Sequence, residues 1–130
     1  MANPNIVSVT GIKGESVGFA LTATTTTTLM TVASDKIVKI NRITVANVDG
    51  TNAADVTISI TKANFTPDGI SNFDTSGTFH LAKTVSVPAD ATLVLLDTPI
   101  YLMEGDVLKG GAGAASDLDL FVSYESIDDA

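Results

Sequence analysis

The chain of 130 residues contains few side chains that could carry out chemistry. It has no cysteine, which excludes disulfides, thiolate zinc sites and thiol chemistry. It has a single histidine. Residues 14–18 (GESVG) match the G-x-S-x-G pattern of hydrolases, in which a strand-to-helix turn exposes the serine hydroxyl. Here the β-prone residues 19–22 follow instead of a helix. His80 is predicted on the polar face of a strand, so Ser16 lacks a base and no catalytic residue is predicted.

Two further motifs resemble ligand-binding loops and are better explained as turns. Residues 49–55 carry three carboxylate or amide side chains that could supply oxygen ligands, but lack the closing glutamate and flanking helices of an EF-hand. A hairpin turn accounts equally well for Asp49-Gly50. The glycine-rich residues 110–113 lack the lysine and the strand-loop-helix unit of a phosphate-binding loop, and are predicted to connect the last two strands loosely. The sequence therefore predicts neither a metal ion nor a cofactor.

The charge of the chain bears on its partners. The formal net charge is −8, the carboxylates become denser after residue 104, and there is one arginine. Direct nucleic-acid binding is not expected, because such binding depends on neutralising phosphates with lysine and arginine. No apolar run is long enough to span a membrane, so no membrane partner is predicted. Residues 1–5 resemble neither a signal peptide nor a lipidation motif, and we expect a flexible arm on a protein made and used without export.

Alternating apolar and polar residues predict half-buried strands along most of the chain. The clearest stretches are residues 55–61, 79–87 and 117–125, in which Phe121 is a misfit. The residues predicted to face the core are Val56, Ile58, Ile60, Phe79, Leu81, Val85, Val87, Leu118, Leu120, Val122 and Tyr124. Between residues 36 and 48 the alternation changes phase at Asn41-Arg42, as it does at a β-bulge. We predict nine or ten strands in one all-β domain over residues 1–130, an antiparallel β-sandwich of jelly-roll type.

Two features are candidate partner contacts. The run Leu93, Val94, Leu95 and Leu96 is apolar on both faces, so its strand is either covered on both sides or meets another chain on its outer face. The predicted long loop, residues 64–77, carries Phe65, Ile70 and Phe73. Loops of this length are uncommon unless they are functional or pack on themselves, and both interpretations remain open.

Several stretches resemble small virion structural proteins of marine tailed bacteriophages, including those that infect cyanobacteria. They include VANVDGTNAADV at residues 45–56 and AKTVSVPADATL at residues 82–93. Shorter similar stretches are residues 99–102, 104–106 and 122–127. The resemblance extends from about residue 6 to residue 127, and the insert at residues 64–77 departs from the shorter members of the family.

The resemblance implies a non-enzymatic place in a virus particle, assembled in the cytoplasm of a host bacterium. Among the possible roles, capsid decoration or cementing is favoured, because the chain is small and acidic and lacks the stalk of a fibre. The expected partners are the major capsid protein and further copies of the chain, with a trimer as the favoured oligomer. A head-to-tail connector or tail component is the alternative. A carbohydrate-binding or adhesion module is the alternative of another class, although the chain has no tryptophan and only two tyrosines.

Overall fold

The computed structural model describes residues 9–63, 69–73 and 76–129, and these residues form nine β-strands. The strands are β1 Val9–Leu21, β2 Thr27–Thr31, β3 Lys36–Asn47, β4 Ala54–Lys62, β5 Gly77–Val87, β6 Thr92–Leu96, β7 Ile100–Leu102, β8 Val107–Ala112 and β9 Leu118–Asp129. Within these described ranges, no helix is long and apolar enough to cross a membrane. The predicted arm at residues 1–5 lies outside them.

The strands form two antiparallel sheets whose apolar faces share one core. Sheet A has the order β1-β9-β3-β6, with β7 beside β6 on the same side of β3. Sheet B has the order β2-β8-β4-β5. Every connection crosses from one sheet to the other except the β4–β5 hairpin and the break between β6 and β7. This is the topology of a jelly roll, which confirms the predicted all-β sandwich.

The alternation of β4 and β9 produces the core as predicted. Val56 and Ile58 on β4, and Leu118, Leu120 and Val122 on β9, are at most 1% exposed. Together with β3 and β8 they fill the space between the sheets. Burying a side chain of this size contributes about 1.5–3 kcal/mol relative to leaving it in water, so this core is the main stabilising feature of the sandwich.

The predicted phase change in β3 is a β-bulge. Ile40 pairs with Tyr124 and Arg42 with Ser123, so Asn41 is an extra residue opposite β9. The bulge allows both Ile40 and Ile43 to face the core, where neither is exposed. The change of phase predicted at Asn41-Arg42 is therefore confirmed.

The other side of β3 pairs with β6 and β7, which together form an edge of sheet A. This edge is interrupted between the two strands, where Pro99 has no N–H to donate.

Strand β5 does not carry the regular apolar face that the sequence predicts. Its register against β4 shifts twice, on either side of the pair Ile58–Ala82, and Thr84 adopts the left-handed backbone conformation (φ 49°). As a result Ala82 and Val87 are buried, whereas Phe79 and Leu81 are exposed. Phe79 and Val85 still lie opposite buried Ile60 and Val56, whereas Leu81 is an extra residue. The predicted face is therefore wrong at Leu81, where a bulge interrupts the alternation.

The glycine-rich residues 110–113 are not a loose connection either, since β8 extends through Ala112. A Cβ on Gly110 would lie 2.8 Å from Leu29 Cδ1, and a Cβ on Gly111 would lie 2.9 Å from backbone atoms of Thr25. These glycines therefore belong to a strand so closely packed that there is no space for a side chain.

The turns gather at two ends of the sandwich. One end, which we call the Asp49 end, carries the turns at residues 48–53, 88–91 and 113–117. The opposite end, which we call the Asp106 end, carries the turns at residues 32–35 and 103–106, the end of β4 and the start of β5.

Candidate interaction surface

The two residues considered for nucleophilic catalysis are far apart in the topology. Ser16 lies on β1, an edge strand of sheet A, opposite Ser123. His80 lies on β5, an edge strand of sheet B, opposite Ser59. The two edges are on opposite sides of the sandwich, because β1 contacts β8 whereas β5 contacts β3 and β6. The geometry therefore does not combine this serine and this imidazole into one site.

The carboxylate of Asp49 is occupied within its own turn. Its Oδ1 accepts a hydrogen bond from the backbone N–H of Thr51 at 2.8 Å, and its Oδ2 accepts one from Asn52 Nδ2 at 3.2 Å. These bonds lower the pKa of Asp49 below the ordinary aspartate value. Among the described residues, no group of three histidine, cysteine or acidic side chains is placed to hold a metal ion.

The same turn is anchored to the sandwich by buried Asn47. Its Nδ2 donates to the carbonyl oxygens of Asn52 at 3.0 Å and Val87 at 2.9 Å, and its Oδ1 accepts from the N–H of Asp49. The polar residues of this motif thus determine the shape of the turn. The turn crosses from sheet A to sheet B, so the hairpin considered from the sequence is wrong.

The outer face of sheet A, which we call the A face, is the best candidate for contact with another molecule. Four large apolar side chains on this face are about half exposed or more, namely Ile12 (61%), Val94 (48%), Tyr101 (52%) and Phe121 (53%). They come from β1, β6, β7 and β9, so every strand of the sheet except β3 contributes one. Apolar side chains exposed to this extent are shielded from water only when another molecule covers them.

The centre of the A face is a row of paired residues that crosses the sheet. Gly18 on β1 lies opposite Phe121, Phe121 lies opposite Thr44 on β3, and Thr44 lies opposite Val94 on β6. Residues opposite one another in a sheet project from the same face. A Cβ on Gly18 would be 3.5 Å from Phe121 Cδ1, so the ring covers the glycine. The row therefore presents the ring of Phe121 and the side chain of Val94 beside two small residues.

A second row of the A face is charged but compensated. Tyr101 lies opposite Lys39, which lies opposite Glu125. Lys39 Nζ is 3.6 Å from Glu125 Oε2, an ion pair that leaves little net charge beside the tyrosine. Farther along, Ile12 lies opposite buried Ile127, which lies opposite buried Ile37. Apolar side chains thus occur along much of the A face.

The four apolar residues of β6 are explained mainly by the protein's own core. The register against β3 shifts between Ile43–Leu96 and Thr44–Val94, which makes Leu95 an extra residue. Leu93, Leu95 and Leu96 all pack against the core, and Val94 projects outward from the A face. Of these predicted contact residues, Val94 has the exposure that contact with a partner requires.

The loop predicted from the sequence is described in part. Ile70 is 62% exposed and Phe73 is half-buried, whereas Phe65 lies outside the described residues. The strands that flank this loop meet it at the Asp106 end, whereas β6 begins at the Asp49 end, so the two predicted contact regions start from opposite ends of the sandwich. Sequence reasoning missed Tyr101 as a surface residue. Phe121 gave a usable signal as an apolar residue on the polar face of an alternating strand.

No protein-family model matches the chain, and a search of curated proteins found no significant match. Solved structures that align with the chain include a protein of Bacillus endospore appendages, described as a novel family of disulfide-linked pili. It has 14% sequence identity and a TM-score of 0.45, and the match covers 100% of this chain and 96% of the other. Another is VP2 of the infectious bursal disease virus subviral particle, with 13% identity, a TM-score of 0.42, and coverage of 92% and 33%.

Proposed function

We propose that the chain is a non-enzymatic structural protein of a virus particle, acting as a capsid decoration protein of a tailed bacteriophage and contacting the capsid through its A face. The observation that supports this surface is the row of Phe121 on inner strand β9 and Val94 on edge strand β6, each about half exposed on the outer face of sheet A. The particle itself is suggested by the resemblance of residues 45–56 and 82–93 to marine phage virion proteins.

An exposed sheet face with apolar side chains suits attachment to a shell of repeated subunits. Its backbone hydrogen bonds are already made within the sheet, so docking requires little ordering of the chain. Aromatic and aliphatic side chains at the centre of an interface carry most of its binding energy, and compensated charges such as Lys39–Glu125 contribute little. The major capsid protein is the proposed partner, and a connector or tail protein would be the partner in the alternative location.

A carbohydrate-binding role is the second candidate, because Tyr101 and Phe121 are two exposed aromatic rings on one sheet face. Aromatic rings on a flat surface are the usual platforms for sugars. A glycan array separates this function from decoration. Binding to defined glycans that is lost in both Tyr101→Ala and Phe121→Ala would favour the sugar-binding role.

The decoration role is tested first by mass spectrometry of purified particles of the virus that encodes the chain, which should contain the protein in many copies. Particles stripped of it then serve for co-sedimentation with added variants. Phe121→Ser combined with Val94→Ser should weaken binding at least about tenfold, the usual effect of truncating central interface residues.

The matched control is Phe79→Ser combined with Leu81→Ser, which removes two similarly exposed apolar side chains from β5. It should bind like the unaltered protein, and thermal melts should show that both double variants are folded. Ile70→Ser tests the loop predicted from the sequence. Normal binding by the Phe121 and Val94 variant would remove the A face from the interface, and absence of the protein from the particle would overturn the function.

A further inference from the structure

We infer that β1 is a docking edge for a second copy of this chain, and that two copies pair antiparallel through residues 11–17 about a twofold axis at Gly14. Sheet A would then continue from one copy into the other. This inference is independent of the particle proposed above, because it rests on the strand edge and its charges alone.

In the described part of the chain, the two sheets leave four edges, and three of them are protected against pairing. The edge formed by β6 and β7 is interrupted at residues 97–99 and contains Pro99. Strand β2 is five residues long and shifts register against β8. Strand β5 has two register shifts and a left-handed Thr84. Breaks, short strands and bulges of this kind are the usual means by which proteins prevent edge-to-edge association.

Strand β1 has one register shift, between Val9 and Gly11, and none within the segment that we propose to pair. It is the longest strand of the described structure, with 13 residues, and its pairing with β9 is regular from Gly11 to Leu21. Residues 12–16 are all exposed, while Gly11 and Val17 on either side are half-buried. A Cβ on Gly14 would have nothing within 4 Å. The exposed run is thus centred on Gly14, and its backbone groups on the open edge can pair with another strand.

The charges of β1 select a second copy as the partner. Lys13 and Glu15 are two residues apart and therefore project from the same face of the strand. In antiparallel pairing about Gly14, Lys13 of each copy lies opposite Glu15 of the other. The twofold axis produces this complementary pair twice, and opposite charges directly across a sheet are favourable.

The remaining positions of the pairing fit without a clash. Ile12 would lie opposite Ser16 of the second copy, Gly11 opposite its Val17, and Gly14 opposite Gly14. Each large side chain therefore meets a small one. Glu15 already accepts a hydrogen bond from Tyr124 Oη at 2.7 Å through Oε2, and its other carboxylate oxygen is available to a lysine.

The experiment is sedimentation velocity of the whole chain at low ionic strength over a range of concentrations, where the unaltered protein should form a dimer. Lys13→Glu and Glu15→Lys should each weaken dimerisation about tenfold or more, because each places two like-charge pairs across the axis. The double variant Lys13→Glu with Glu15→Lys restores opposite charges and should recover the affinity to within about threefold. Lys83→Glu on the bulged β5 edge is the control and should dimerise normally.

Thermal melts of each variant establish that it is folded, and Glu15→Gln, which keeps an acceptor for Tyr124, separates the charge from that hydrogen bond. It should weaken the dimer less than Glu15→Lys does. A protein that is monomeric or trimeric at every concentration would overturn the inference. So would a single variant that dimerises normally, or a folded double variant that does not recover.

Discussion

Asp106 is the one charged residue of the described structure whose side chain is completely buried. Its carboxylate accepts hydrogen bonds from the backbone N–H groups of Ala63 at 2.9 Å and Met103 at 2.8 Å, and from Lys62 Nζ. These bonds connect the end of β4 to the turn between β7 and β8. A buried charge with this many partners holds the Asp106 end together rather than binding a ligand.

Replacing Asp106 with alanine should lower the free energy of unfolding by about 3 kcal/mol or more, measured by urea denaturation. The change removes the acceptor of two part-buried N–H groups and one ion-pair partner of Lys62. Glu104→Ala is the control in the same turn. Its carboxylate accepts one exposed hydrogen bond from the N–H of Asp35, so the expected loss is about 0.5–1.5 kcal/mol. Equal losses in the two variants would contradict this account.

The importance of Asp106 could not be predicted from the sequence. Glu104-Gly105-Asp106 indicates a turn, and nothing local distinguishes a buried carboxylate from the many solvated ones of this acidic chain. The partners of Asp106 are brought to it by strand pairing between distant segments. Phe121 is the opposite case, since its place on the polar face of an alternating strand identifies it as exposed without any knowledge of the pairing.

At the scale of strands, the positions of the bulges determine where apolar-polar alternation correctly predicts which side chains face the core. The bulge of β3 was predictable, because the apolar residues on both sides of Asn41 change phase. The bulges of β5 were not, because threonine seldom adopts the left-handed conformation that Thr84 has, and an edge strand has fewer buried positions to show a change of phase. The extra residue at Leu95 was hidden within a run that is apolar throughout.

Deleting Asn41 should therefore be far more harmful than truncating it. Without the extra residue, Val38 and Ile40 can no longer face the core together with Ile43. Exposing two such side chains costs about 3–6 kcal/mol, which is comparable to the whole stability of a small domain. We expect the deletion variant to be unfolded or nearly so by circular dichroism, whereas Asn41→Ala should melt within a few degrees of the unaltered protein. A folded deletion variant would mean that the bulge is not needed for the register.

For the molecule as a whole, both ends have acidic turns, and the ion pairs lie toward the Asp106 end. The Asp49 end carries Asp49, Asp90 and Asp117 in its turns, and those turns contain no lysine or arginine. Three of the cations elsewhere form ion pairs, Lys36–Asp128, Lys39–Glu125 and Lys62–Asp106. The turns of the Asp106 end likewise carry Asp35, Glu104 and Asp106, so the two ends differ in how far their carboxylates are paired with lysine and not in how many they carry.

The stability of the protein in acid depends on two opposing consequences of protonating its carboxylates. Protonation relieves the repulsion within a chain of net charge −8, which favours the folded state. It also removes charge-assisted hydrogen bonds that lower the pKa values of Asp49, through Thr51 and Asn52, and of Asp128, through Lys36. A carboxyl group whose pKa is lower in the folded state stabilises the protein above its unfolded pKa. That contribution is lost as the pH falls through the folded value.

Comparing Asp49→Asn with Asp119→Asn separates the two consequences. Each change removes one negative charge from an exposed or half-exposed aspartate near the Asp49 end, but Asp49 also accepts hydrogen bonds that are stronger when it is ionised. At pH 7 the Asp49→Asn protein should therefore melt at a lower temperature than the Asp119→Asn protein. The difference should shrink as the pH falls below the ordinary aspartate pKa of 3.8, because Asp49 then becomes neutral in the Asp119→Asn protein as well. A difference that stays constant from pH 7 to pH 3 would mean that the ionised form of Asp49 contributes nothing, and that the turn depends on its shape alone.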